Sequence, residues 1–297
     1  MSTQMHEVME RPAATEHAAA AGVKTILLHI QNDASLDQRM ETALSLARAC
    51  DAHLSCLHVT PIEAYVAFDS FGGVFVMNDI ITALDEEEAR LKARMEAELT
   101  SEDLQWDYVH VTGNVPTQLL RHAALSDLII VGREPHRSDF AEPKIGLLGD
   151  LLHRSTTPLF VPATDGGPVD PSGPVIVAWD GSHEAANAVR AAIGLLKLSS
   201  DVRIVQVRES TKNEAFPGTK LLQYLSRHGI HAELQVEPAS GAEGEGIAGV
   251  LLAYARANSA AYIVMGGYNH SRVGEFLFGG VTRTLLGDCP VPLLIAH

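Results

Sequence analysis

Cysteine is scarce in this chain and follows no ligand spacing. Cys50, Cys56 and Cys289 are the three in 297 residues, with no CxxC pair. That argues against a disulfide framework or a thiolate zinc site and suits a reducing cytoplasm. Cys50 and Cys289 lie in apolar patterns and read as small core residues. Positive charge is also short. Twenty-two Lys and Arg face 37 Asp and Glu, a formal net charge of −15. This argues against a nucleic-acid partner and against an anionic membrane surface, while a local basic site for a small anion stays open. No apolar run is long enough to cross a bilayer. Met1 to Gly22 has no continuous apolar segment, so it reads as a mobile leader and not as a signal peptide. No glycine loop ends in GK[ST], which sets aside a P-loop NTPase, and no G-x-S-x-G elbow is present. The 14 histidines are scattered. His53 and His58 fall on opposite faces of one expected strand and do not suit a shared metal.

What is present is a chain with 46% hydrophobic residues, enough for two ordinary domains. The pattern predicts strands at 23–30, 52–59, 106–111, 127–132 and 158–162, and helices at 36–50, within 74–99, at 115–125 and at 147–155. Residues 60–73 read as a loop with exposed Tyr65, Phe68 and Phe71. The acidic run at Asp85–Arg94 reads as a solvated helix face. Residues 163–174 are rich in Pro, Gly, Asp and Ser and read as a linker. The pattern then restarts, with strands at 174–179, 202–207, 231–236, 261–266 and 291–296 and helices at 185–198, 220–228, 246–257 and from Val281. His183 falls in a helix's first turn. Residues 237–249 read as a flexible loop or a lid.

The chain is therefore two copies of one unit. Gln31 answers to Asp180. Gly132, Gly146 and Pro158 answer to Gly266, Gly280 and Pro292 at one shared, shorter offset. The expected architecture is α/β, with two tandem open five-stranded parallel sheets, helices on both faces and a Rossmann-like order. The expected division is a leader at 1–22, a first domain at 23–163, a linker at 164–174 and a second domain at 175–297. In such a sheet the turns after strands one and four share the carboxyl edge, where ligands bind.

The turn after strand four in the second unit reads Tyr262-Ile-Val-Met-Gly266-Gly267-Tyr268-Asn269. Nine residues follow, then Gly279-Gly280-Val281-Thr282. Taken alone it is either a phosphate cradle, with glycines and helix N–H groups facing an anion, or a tight turn that needs glycine and binds nothing.

With Asp180 after strand one, and with Cys289-Pro-Val-Pro-Leu-Leu-Ile at the last strand, this stretch resembles the universal stress protein family. That family carries an Asp after strand one and G-x-x-G-x(9)-G-[S/T] after strand four. The resemblance covers nearly all of residues 23–297, as the tandem two-unit form. It implies a nucleotide-alpha-hydrolase-like fold and a bound adenine nucleotide, ATP or another, with or without Mg. By position, Asp180 beside Ala178 would hold the adenosine, and the Val207 backbone would meet the adenine. Gly266, Gly267, Tyr268 and Asn269 would admit the phosphates above the N–H groups of Gly279, Gly280, Val281 and Thr282. Asn269 departs from the second loop glycine and Gly280 from the Ser/Thr. Arg272 is either a compensating phosphate partner or an exposed charge.

The first unit departs further. Gln31 stands where the Asp belongs, Pro135 replaces a glycine, and the loop carries three acids. It reads as a degenerate, structural copy, with a different small ligand as the alternative. Three functions follow. One is a cytoplasmic stress-response protein with a regulatory nucleotide. The second is a nucleotide-free interaction module, in which last strands 158–162 and 291–296 pair as an intramolecular pseudo-dimer or support a homodimer. The third is a slow ATPase. No residue is placed by the sequence as a general base or in a catalytic metal cluster, so no catalytic residue is expected.

Overall fold

The computed structural model describes residues 22–62, 67–68, 74–75, 78–133, 146–163, 167–208, 216–238, 246–267 and 279–297. The first half runs β1 (Thr25–Ile30), α1 (Leu36–Cys50), β2 (His53–Pro61), β3 (Ala67–Phe68), β4 (Val74–Phe75), α2 (Asn78–Thr100), β5 (Trp106–Gly113), α3 (Val115–His122), β6 (Leu128–Ile130), α4 (Leu147–Arg154) and β7 (Leu159–Val161). The second half runs β8 (Val175–Ala178), α5 (His183–Leu196), β9 (Val202–Arg208), α6 (Gly218–Arg227), β10 (Ala232–Pro238), α7 (Gly246–Ala257), β11 (Tyr262–Gly266), α8 (Gly280–Asp288) and β12 (Leu293–Ala296).

Local chemistry sets these boundaries. Ser182 caps α5 by accepting from Ala185 N–H at 3.1 Å, and Asn114 caps α3 by accepting from Thr117 N–H at 3.1 Å. Asp51 ends α1 in the left-handed region, at φ 50°. The long helix starts at Asn78, because β3 and β4 pair antiparallel just before it, where a loop was expected.

Each half is a parallel sheet, with order β5-β2-β1-β6-β7 in the first and β10-β9-β8-β11-β12 in the second. The two form one ten-stranded sheet, because β7 and β12 pair antiparallel. Leu293 lies opposite Val161, Leu294 opposite Phe160 and Ile295 opposite Leu159. The expectation of two sheets is thus refined to two parallel sheets sharing an edge. One apolar core lies on each face and continues across the junction. Phe160, Val177, Tyr262 and Leu294 belong to one, and Leu159, Val161, Ile176 and Ile295 to the other. The strands next to the junction are buried on both faces, so they read as unbroken apolar runs. Cys50, Cys56 and Cys289 are all buried, and burial pushes the Cys50 and Cys56 thiols up to about 11 and about 12. Among the described residues, no helix is long and apolar enough to cross a membrane.

The antiparallel junction has a geometric consequence. The carboxyl edge of one half lies beside the amino edge of the other. The two candidate crevices therefore open on opposite edges of the ten-stranded sheet.

Candidate functional site

In the second half the strand order switches between β8 and β11, the position at which open α/β sheets take ligands. Asp180 leaves the end of β8 in a turn set by Gly181, at φ 73°. The Asp180 carboxylate is exposed, and its Oδ1 accepts from Ser182 N–H at 3.0 Å. Trp179, just before it, is buried and donates Nε1–H to Phe216 O at 3.1 Å. Phe216 N–H in turn reaches Gly181 O at 3.2 Å, and the Phe216 ring stands edge-on to His183, in the first turn of α5 as expected.

Ala178 is the last residue of β8 and lies opposite Val205. Trp179 N–H donates to Val205 O at 3.0 Å. Val207, two residues further along β9, turns its N–H and C=O to the same side, because strand backbone direction repeats every second residue. There β8 has already ended, although β9 still pairs with β10 on its other side. The Val207 backbone therefore faces the gap at the switch point.

Gly266 ends β11 where the backbone of α5 comes close. A Cβ there would lie 2.6 Å from Ala185 N and 2.8 Å from the Glu184 carbonyl carbon. Gly267 is spent on packing. Its N–H donates to Ala296 O at 2.8 Å, and a Cβ would lie 2.6 Å from Ile295 Cγ2 and 3.2 Å from Leu152 Cδ2. Among the described residues nothing lies within 4 Å of a Cβ position at Gly279 or Gly280, so α8 begins beside space that none of them fills. The first bond of α8 runs from Arg283 N–H to Gly279 O at 3.0 Å. The N–H groups of Gly280, Val281 and Thr282 precede it and have no acceptor inside the helix. Among the described residues no side chain caps α8, and no acid lies in its first turn. Thr282 is buried as a residue. Tyr268, Asn269 and Arg272 lie outside the described residues.

Three groups escaped the sequence reading. Glu184 is buried against Gly266. His297 is exposed, and its Nδ1 lies 3.3 Å from Gly267 O. The third, Arg39, occupies the equivalent switch point of the first half. It is 1% exposed. Its Nη1 donates to Asp33 Oδ1 at 2.9 Å and to Ser35 Oγ at 2.7 Å, and its Nη2 to Gln31 O at 2.7 Å. A Cβ on Gly132 would lie 2.5 Å from that Nη1. The Arg39 guanidinium thus packs against Gly132, where in the second half the α5 backbone packs against Gly266. Burial pushes the Asp33 carboxyl up, but the hydrogen bond and charge of Arg39 outweigh it and hold the group below its usual value. The signal was Asp33 and Ser35 with Arg39 one turn further on. The first-half loop from Glu134 to Ile145, including Pro135, lies outside the described residues.

Comparison with known proteins bears on this site. Residues 172–297 match the model of the Universal stress protein family. No curated protein matches the chain. Among solved structures, a universal stress protein from Archaeoglobus fulgidus DSM 4304 superposes with a TM-score of 0.71 at 16% identity, over 93% of this chain and 99% of that one. A functionally unknown protein from Pseudomonas aeruginosa PAO1 superposes with a TM-score of 0.54 at 14% identity, over 94% of each chain. At such identities the likeness concerns the fold.

Proposed function

We propose that this chain, whose residues 172–297 match the model of the Universal stress protein family, is a cytoplasmic stress-response protein that binds one adenine nucleotide as a regulatory ligand in its second half. The observation that carries the reading is the convergence at the β8/β11 switch. An exposed carboxylate, two unclaimed strand-end backbone groups and an uncapped helix N-terminus beside open space meet at one edge. Asp180 accepts hydrogen bonds from ribose hydroxyls, with Ala178 beside it. The N–H and C=O of Val207 match the donor and acceptor edge of adenine. Gly266 lets the phosphates approach, Gly267 fixes the rim, and Tyr268, Asn269 and Arg272 belong to the loop above. The N–H groups of Gly280, Val281 and Thr282, following Gly279, receive the phosphates, where the helix dipole favours an anion.

The chain divides into a leader at 1–22, a first unit at 23–163, a linker at 164–174 and a second unit at 175–297. The two units form an intramolecular pseudo-dimer through β7 and β12. Arg39 and Asp33 make the first unit a closed copy. Mass spectrometry of the small molecules released by heating the purified protein tests the reading. It predicts an adenine nucleotide. A chain that releases none, and whose melting temperature does not move in millimolar ATP, contradicts it.

A further inference from the structure

We propose that Arg133 is a positioning residue through which the first half of the chain holds the helix that receives the phosphates in the second; this rests on the nucleotide reading above. Arg133 follows Gly132 at the carboxyl end of β6, and its guanidinium crosses into the other half. Its Nη1 donates to Leu285 O at 2.6 Å and to Leu286 O at 3.0 Å, in the last turn of α8. Its Nη2 reaches Val291 O at 3.4 Å, just before β12, and its Nε donates to Pro162 O at 2.8 Å, just after β7. One side chain therefore ties the end of α8 to both strands of the junction.

The arrangement is one-sided. The last turn of α4 carries its own bases, His153 and Arg154. The last turn of α8 has none. A helix end that lacks a cation gains one from outside, where it meets both the dipole and the unpaired carbonyls. The repeat puts Gly267 at the place of Arg133, and Gly267 has no side chain to return the contact. Behind Arg133, Gly132 lies against the guanidinium of Arg39, which Asp33, Ser35 and Gln31 hold. Gly132 and Arg133, adjacent in the chain, thus place the Arg39 cluster on one side and α8 on the other.

The link from clamp to site is mechanical. Helix α8 is nine residues long, so its two ends move together. Its first-turn N–H groups bind an anion only if they stay within hydrogen-bond reach of it. Without Arg133 the last-turn carbonyls lose their donor, and the short helix is held by its apolar side alone.

The test compares the full chain with Arg133→Met and Arg133→Lys, by peptide-level hydrogen exchange without nucleotide and by calorimetric titration with ATP. Arg133→Met should speed exchange within residues 279–289 by about tenfold while leaving residues 175–208 unchanged, since local openings are separable from global ones. It should weaken ATP binding by about fivefold or more, the usual scale of coupling between sites. Arg133→Lys keeps the charge but cannot fork across four carbonyls, so it should fall between. Equal acceleration in both segments, or ATP affinity unchanged by Arg133→Met, overturns the proposal. If the unmodified chain binds no ATP, the nucleotide reading fails instead, and the exchange pattern alone decides the clamp.

Discussion

Gly266 and Gly280 both belong to the proposed crevice, yet a methyl group meets different surroundings at each. At Gly266 it would meet backbone atoms of Glu184 and Ala185, which cannot swing aside. Gly266→Ala should cost about 1–3 kcal/mol, as overpacking does. At Gly280 it meets no described residue within 4 Å, and Gly280→Ala should be neutral or stabilise by about 0.4–1 kcal/mol through the unfolded chain. Calorimetric melting separates the two, with a lower Tm for the first variant and an equal or higher one for the second. His29 offers a test of a different kind. It is 3% exposed, and burial first, then the charge of Arg39, lower its pKa to about 3, with Asp33 opposing and His58 adding to the shift. The folded chain therefore keeps His29 neutral down to about pH 3, whereas the unfolded chain takes up the proton below about pH 6.5. Its contribution is fully present above the unfolded pKa and is lost as pH falls toward the folded one, a change on the order of a few kcal/mol. Urea unfolding at pH 7 and pH 5 should show this loss, and His29→Leu should reduce the difference between the two pH values. An unchanged difference would place the acid sensitivity elsewhere, with His58, whose pKa burial also lowers, the next group to examine.

Among the elements, β7 and β12 carry the connection between the halves. Phe160 is buried in that pairing, opposite Leu294 and 5.7 Å from the Tyr262 ring. Phe160→Ala should cost about 3–5 kcal/mol, as for other large core truncations. Loss should appear in one cooperative transition if the two cores melt together. Two separate transitions, with the second half unchanged, would show that the junction is dispensable. Much of this architecture was legible in the sequence. Strands buried on both faces, such as β8 and β11, stand out as short apolar runs, and α1 and α7 match their expected limits because periodicity and flanking turn residues agree there. The register between β7 and β12 was not legible, since it joins segments far apart in the chain and has no local signature. Arg39 and Arg133 were missed for a related reason. An arginine near a turn reads as solvated until its acceptors, here a carboxylate and several carbonyls, are known to surround it. The small hairpin of β3 and β4 was hidden because each strand is two residues long.

At the scale of the whole molecule, the repeat is symmetric in fold and asymmetric in chemistry. The second half presents an exposed Asp180 and an uncapped α8. The first half sets a buried Arg39, paired with Asp33 at its surface, at the matching place. One nucleotide per chain is therefore expected, and not two. A titration of the purified chain with ATP in a calorimeter tests this most directly, alongside Asp180→Ala. The account predicts a single site per chain, lost in Asp180→Ala. Absence of binding, two equivalent sites, or binding that survives Asp180→Ala unchanged would contradict it.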